Sequence, residues 1–225
     1  SNQFCWALEH VGFGAPREFM HKSEMAQQSK NFGIHFDPAR SADYLSDLRQ
    51  KFTRKGVFSA KVFYYNSLRY YPDLLRTFEG GHFLHLERQD IVSQIVSLVA
   101  LMKTGRALDS AIEISPKTEF EIDAKLLRYL EMLIVTSNSF WRRFLIGKRS
   151  LHIYTESLTH NPETVARQIF EFVGRHDFSV EKFQHYVASQ KRYSTDTDLK
   201  AQIRADFSET LSQIKERHDQ RTAKG

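Results

Sequence analysis

With 225 residues, 41% of them hydrophobic and 26% charged, the chain has the size and balance of one soluble domain with a sizeable core, and its aromatic content excludes a disordered segment. A single cysteine, Cys5, excludes an internal disulfide framework and a cysteine-cluster metal site, so a reducing, cytoplasmic setting is expected. The formal charge of +5 favours an anionic ligand without choosing its class, and no apolar run reaches the roughly 18 residues of a membrane span.

In chain order, residues 3–10, 17–28 and 41–54 read as helices. Residues 57–65 (VFSAKVFYY), rich in β-branched and aromatic side chains and bounded by Gly56 and Asn66, read as a strand. Residues 71–77 read as a short helix closed by Gly80 and Gly81, and 82–88 (HFLHLER) as a second strand. Asp90 is the expected N-cap of a helix over 91–103, apolar nearly all round and therefore buried. A long helix is expected at about 119–146 and a third strand at 151–154. Asn161-Pro162-Glu163 opens another helix, with Val165, Ile169, Phe172 and Val173 on one face and Gly174 as its stop. Residues 199–217 read as an amphipathic helix bearing Ile203, Phe207, Leu211 and Ile214, and the polar 213–225 as frayed.

No repeat or linker interrupts the chain, so one domain over 1–225 is expected, with a helical extension at about 176–225. Strands separated by helices predict an α/β fold with a parallel sheet flanked by helices. Ligands collect at the carboxyl ends of such strands.

One strand-to-helix unit invites an anion. Arg88 closes the second strand, and Ser93, Ser97 and Thr104 lie along one stripe of the next helix. A guanidinium, a hydroxyl and a positive helix end suit a phosphate. The competing reading has the serines bonding back to helix carbonyls and Arg88 meeting a carboxylate such as Asp90. Glu18, just after Ala15-Pro16, reads either as a first-turn acid or as a base. Lys61, inside an apolar and aromatic segment, needs an anionic partner or snorkels from an edge. His82 and His85, three apart on a strand, project to opposite faces, so no metal site is expected.

The run His85-Leu86-Glu87-Arg88-Gln89-Asp90, followed by Gln94-Ile95-Val96-Ser97-Leu98 and Lys103-Thr104-Gly105, resembles the signature of the mycobacterial trehalose 2-sulfotransferase family. Three further stretches resemble that family in the same order. They are Gly12-Phe13-Gly14-Ala15-Pro16-Arg17-Glu18-Phe19, Gly56-Val57-Phe58-Ser59-Ala60-Lys61, and Ile153-Tyr154-Thr155-Glu156-Ser157-Leu158 with Asn161-Pro162-Glu163-Thr164-Val165. The resemblance implies a P-loop-like sulfotransferase fold. It also implies transfer of a sulfuryl group from 3′-phosphoadenosine-5′-phosphosulfate to a hydroxyl of a carbohydrate or glycolipid. It puts the 3′-phosphate on Arg88 and Ser97, makes Glu18 the general base and sets Lys61 against charge on the leaving group. Ser1, Asn2 and Gln3 match the end of the phosphosulfate loop, which implies that the first strand and the front of that loop lie upstream. A homodimer is implied as well. The chain departs from the family pattern at Glu87 and Gln89, which flank Arg88 where the family usually carries a second arginine.

Two other classes compete. A nucleotide-dependent kinase-like enzyme on a related fold would want a Gly-x-x-x-x-Gly-Lys-Ser/Thr loop, which residues 1–225 lack. A non-catalytic anion- or nucleic-acid-binding module would fit the charge, but no basic stripe with interleaved aromatics is present, so no nucleic-acid partner is expected.

Overall fold

The computed structural model describes residues 2–64, 78, 80–104, 121–189 and 197–223. The described chain is mostly helical with one small parallel sheet, broadly α/β. It divides into two compact units, Ser1–Glu87 with Phe140–Gln190, and Arg88–Ser139 with Lys191–Gly225.

In the first unit, α1 (Asn2–Val11) buries Phe4, Ala7, Leu8 and Val11, spaced to fall on one helical face. That face packs on α8 (Val180–Ser189), where Phe4 meets Phe183 edge-to-face at 6.3 Å between centroids. The same core takes Val165, Ala166, Ile169 and Phe170 from α7 (Pro162–Phe172), with Phe13 stacked on Phe170 at 5.8 Å. Pro162 sits in the first turn of α7, as expected, but Asn161 makes no side-chain capping bond. Its backbone instead ends α6 (Thr155–His160), whose helix runs almost directly into α7. Gly174, with φ of 68°, stops α7 where the sequence placed the stop.

A second cluster in this unit gathers Phe19, Tyr44, Leu45, Leu48 and Phe52. Most of it comes from α3 (Ser41–Phe52), whose buried face repeats every three to four residues. The helix expected at 17–28 begins later, as α2 (Lys22–Phe32). Arg17 is drawn out of it by pairing with Ala60 in an isolated parallel bridge, and residues 19 and 20 form a turn closed by the His21 amide on the Glu18 carbonyl at 2.7 Å.

The expected strand at 57–65 is not a strand over its described residues, 57–64. It holds two isolated bridges, Arg17 with Ala60 and Arg54 with Val57. Lys55 and Gly56, with φ of 47° and 74°, turn the chain so tightly that Arg54 and Val57 exchange both backbone hydrogen bonds. The segment thus spends its hydrogen bonds on a turn and a loop and builds no ladder. The expected short helix at 71–77 lies outside the described residues.

The sheet has two strands, β1 (Phe83–Glu87) and β2 (Ser150–Tyr154), both close to their expected positions. They pair in parallel, Phe83 with Ser150 through Glu87 with Tyr154.

In the second unit, α4 (Ile91–Thr104) buries Ile91, Ile95, Val96 and Val99. They pack with Leu127, Leu130 and Ile134 of α5 (Ala124–Phe144) and with Ile203, Leu211 and Ile214. The last three come from α9 (Thr197–Asp206) and α10 (Ser208–Thr222), which replace the single amphipathic helix read at 199–217. The break falls at Phe207, whose φ of −119° and ψ of 25° are not helical. The expected frayed tail is helical to Thr222. The reason is Glu131, buried on α5, which takes Arg217 at 2.7 Å and Arg221 at 3.2 Å and so ties the last turns of α10 down. No helix among the described residues is long and apolar enough to cross a membrane.

Candidate functional site

Glu18 and Lys61 stand 43 positions apart in sequence, and the structure brings them into contact. The Lys61 ammonium donates to Glu18 Oε1 at 2.9 Å. Lys61 is the more deeply held, its side chain 10% exposed against 32% for Glu18. The backbone makes this pair. The bridge between Arg17 and Ala60, with the Lys61 amide donating to the Arg17 carbonyl at 2.8 Å, sets the two residues that follow it side by side.

Gly12 and Gly14 shape the approach. Gly14 has φ of 72°, and a Cβ there would lie 2.7 Å from the Val57 carbonyl oxygen. Only glycine lets the Gly12–Pro16 loop pass this close to the 57–61 segment. Behind the pair, the Lys61 ammonium lies 4.7 Å from the centre of the Phe63 ring, a cation–π contact. The Cys5 thiol sits near enough to feel both charges: burial pushes its pKa up, and the Lys61 cation opposes that more strongly than Glu18 adds to it.

The first turn of α1 carries the residues matched to the phosphosulfate loop. Ser1 lies outside the described residues, and Asn2 begins the helix. The Gln3 amide donates to the Val187 carbonyl at 2.6 Å, which commits it to holding α1 against α8.

Arg88 and Ser97 belong to the second unit. Asp90 caps α4 as expected, accepting from the Ser93 amide at 2.9 Å and from the Ser93 hydroxyl. Its pKa lies below the ordinary carboxylate value. Burial pulls it up, but the two bonds from Ser93 and the Arg88 and Arg204 cations prevail. The Ser93 hydroxyl also accepts from Arg204 Nη2 at 2.6 Å. Thr104 bonds back to the Ala100 carbonyl at 2.8 Å. Two of the three hydroxyls on the stripe therefore have partners within the unit, and Arg88 has Asp90 as an electrostatic neighbour. Ser97 is half-buried on the same helix.

Tyr64 packs 5.2 Å from Phe140. Glu156 accepts from the Thr155 hydroxyl at 3.1 Å.

Comparison with known proteins finds no matching family model, no matching curated protein and no matching solved structure. The chain's own residues therefore carry the functional argument.

Sequence reasoning missed His152. His82 and His85 do part as strand alternation requires, His82 packing edge-on against Phe172 and His85 stacking on His152. The partner of His85 comes from β2, 67 positions away and set by strand register, for which no local pattern stands in.

Proposed function

We propose that the protein is a sulfotransferase that moves a sulfuryl group from 3′-phosphoadenosine-5′-phosphosulfate to a carbohydrate or glycolipid hydroxyl, on a P-loop-like fold. The single observation that carries the reading is the Glu18–Lys61 pair. These two were singled out separately, one as base and one as charge stabiliser, and they meet at 2.9 Å in a half-buried setting. Sulfuryl transfer depends on positioning and electrostatics, and a base beside a cation supplies both.

Glu18 would take the proton of the acceptor hydroxyl as its oxygen bonds to sulfur. Lys61 would hold the negative charge that builds on the phosphate as its bond to sulfur breaks. In the resting chain each charge neutralises the other. An anionic donor competing for Lys61 would free Glu18 to act as base only once the donor is bound. Arg88 and Ser97 would hold the 3′-phosphate, with Arg88 exchanging its interaction with Asp90 for the ligand. The donor fits the residues in one further respect: a cation as enclosed as Lys61 is stable only in anionic company. A cytoplasmic location and a homodimer belong to the same proposal.

Thermal stabilisation by adenosine 3′,5′-bisphosphate, compared with ATP and with an oligonucleotide, tests it. The bisphosphate is expected to raise the melting temperature most. Arg88→Ala removes that rise, while Glu18→Gln keeps it and loses transfer. Stabilisation by ATP or the oligonucleotide alone sinks the proposal, and loss of binding in Glu18→Gln removes Glu18 as the base.

A further inference from the structure

Three donors of mixed chemistry converge on one face of the sheet. Because β1 and β2 pair in parallel with His85 opposite His152, both imidazoles stand on the same side. Side chains alternate along a strand, so Glu87, two residues after His85, returns to that side. One ligand atom from each of His85, Glu87 and His152 lies within 4.8 Å of the other two. The imidazoles are stacked, with ring centres 4.8 Å apart and planes 17° from parallel. His152 Nε2 stands 3.0 Å from Glu87 Oε2, and Arg142 Nη2 donates to Glu87 Oε1 at 2.8 Å.

From this geometry we infer that His85, Glu87 and His152 form a binding site for a zinc-class divalent metal ion. The donor set selects the class. Two neutral imidazoles and one carboxylate suit zinc and its transition-metal neighbours, whereas magnesium and calcium want oxygen donors throughout. The burial is what a site needs. Glu87 is a strand carboxylate with a side chain only 4% exposed, so it brings a negative charge that an ion would neutralise at short range. Arg142 holds its second oxygen and fixes the carboxylate plane, the usual task of an outer hydrogen-bond partner. Arg142 is 53% exposed, so water screens most of its own charge from the ion.

Room and adjustability are also present. A cavity of about 200 Å³, lined by His85, Arg142, Leu145, Ile146, Ser150 and His152, opens beside the two histidines. It leaves space for water to complete the ion's coordination. Zinc–nitrogen bonds are about 2.0–2.1 Å long, so the donors must draw closer together. His152, its side chain 36% exposed, is the most exposed of the three donors and has the most room to adjust.

The site does not rest on the sulfuryl-transfer reading and is tested apart from it. Chelator-treated full-length protein is titrated with Zn2+ by calorimetry, with Co2+ as a spectroscopic probe and Mg2+ as a competitor. The expected result is one saturable Zn2+ per chain and a visible Co2+ absorption typical of low coordination number, neither displaced by excess Mg2+. His152→Ala, which alters an exposed ring, and His85→Ala each weaken Zn2+ binding on the order of 100-fold. The double variant loses it. His35→Ala, a surface histidine elsewhere, keeps it in full. Circular dichroism of the apo variants confirms that they fold. The site is overturned if no saturable Zn2+ binding occurs, if binding survives in the folded double variant, or if Mg2+ competes equally.

Discussion

Arg217→Ala is expected to cost the protein more stability than Glu131→Ala, although it breaks one ion pair to Glu131 and Glu131→Ala breaks two. Glu131 is buried, its side chain 7% exposed, while Arg217 and Arg221 are 38% and 49% exposed. Removing the glutamate leaves two guanidiniums that can return to water. Removing Arg217 takes away two of the three hydrogen bonds to the carboxylate, at 3.1 and 2.7 Å, and strands a charge inside with Arg221 alone. Uncompensated buried charges cost about 3–5 kcal/mol. For a chain of this size, about 2–4 °C per kcal/mol makes that a melting-temperature drop on the order of 10 °C. Glu131→Ala should lose roughly 1–3 kcal/mol, the range for broken hydrogen bonds to a charged group.

The pH dependence supplies an independent sign. Burial alone would raise the Glu131 pKa, but the Arg217 hydrogen bonds and the two arginine charges leave it below its ordinary 4.5. A carboxylate with a depressed folded pKa contributes its full stability above the unfolded value and loses it as pH falls through the folded one. Urea unfolding followed by circular dichroism from neutral pH to below 4.5 should therefore show wild type losing stability that Glu131→Gln does not lose. Equal costs for Arg217→Ala and Glu131→Ala, or parallel pH profiles for wild type and Glu131→Gln, would refute the reasoning.

Two further outcomes follow from the first unit. Gly14→Ala should destabilise by at least about 2 kcal/mol in thermal melts, since the new methyl must sit 2.7 Å from the Val57 carbonyl at a φ of 72°. An unchanged melting temperature would mean the loop does not pass as closely as described. Tyr44→Phe should cost about 1–2 kcal/mol by urea titration, because the buried hydroxyl donates to the Phe19 carbonyl at 2.7 Å.

Much of the architecture was legible where the cause was local. The apolar face of α1, the Asp90 cap, Pro162 in the first turn of α7 and the Gly174 stop each follow from residues within a few positions of one another. Both strands of the sheet lie close to where the sequence placed them. Where the competing force came from far along the chain, the reading failed. Residues 57–64 have strand composition, yet no described neighbouring strand offers them a ladder, and a tight turn takes the hydrogen bonds at their start. Residues 213–222 look like a fraying tail, and a buried glutamate some 85 positions earlier keeps them helical.

The candidate site divides the same way. That Lys61 is unusual was visible from its setting in the sequence, because a charge in an apolar run needs a reason, while Glu18 stood out through the family resemblance. That they pair with each other was decided by the Arg17–Ala60 bridge, a long-range backbone contact. His85 and Glu87 were visible as neighbours on a strand, but their convergence with His152 depends on β1 and β2 pairing in one register. A shift by one residue would send His152 to the opposite face. Composition and spacing determine which side chains are available and what each must find; the tertiary structure alone determines which of them meet, because strand pairing and burial act between residues that the sequence holds apart.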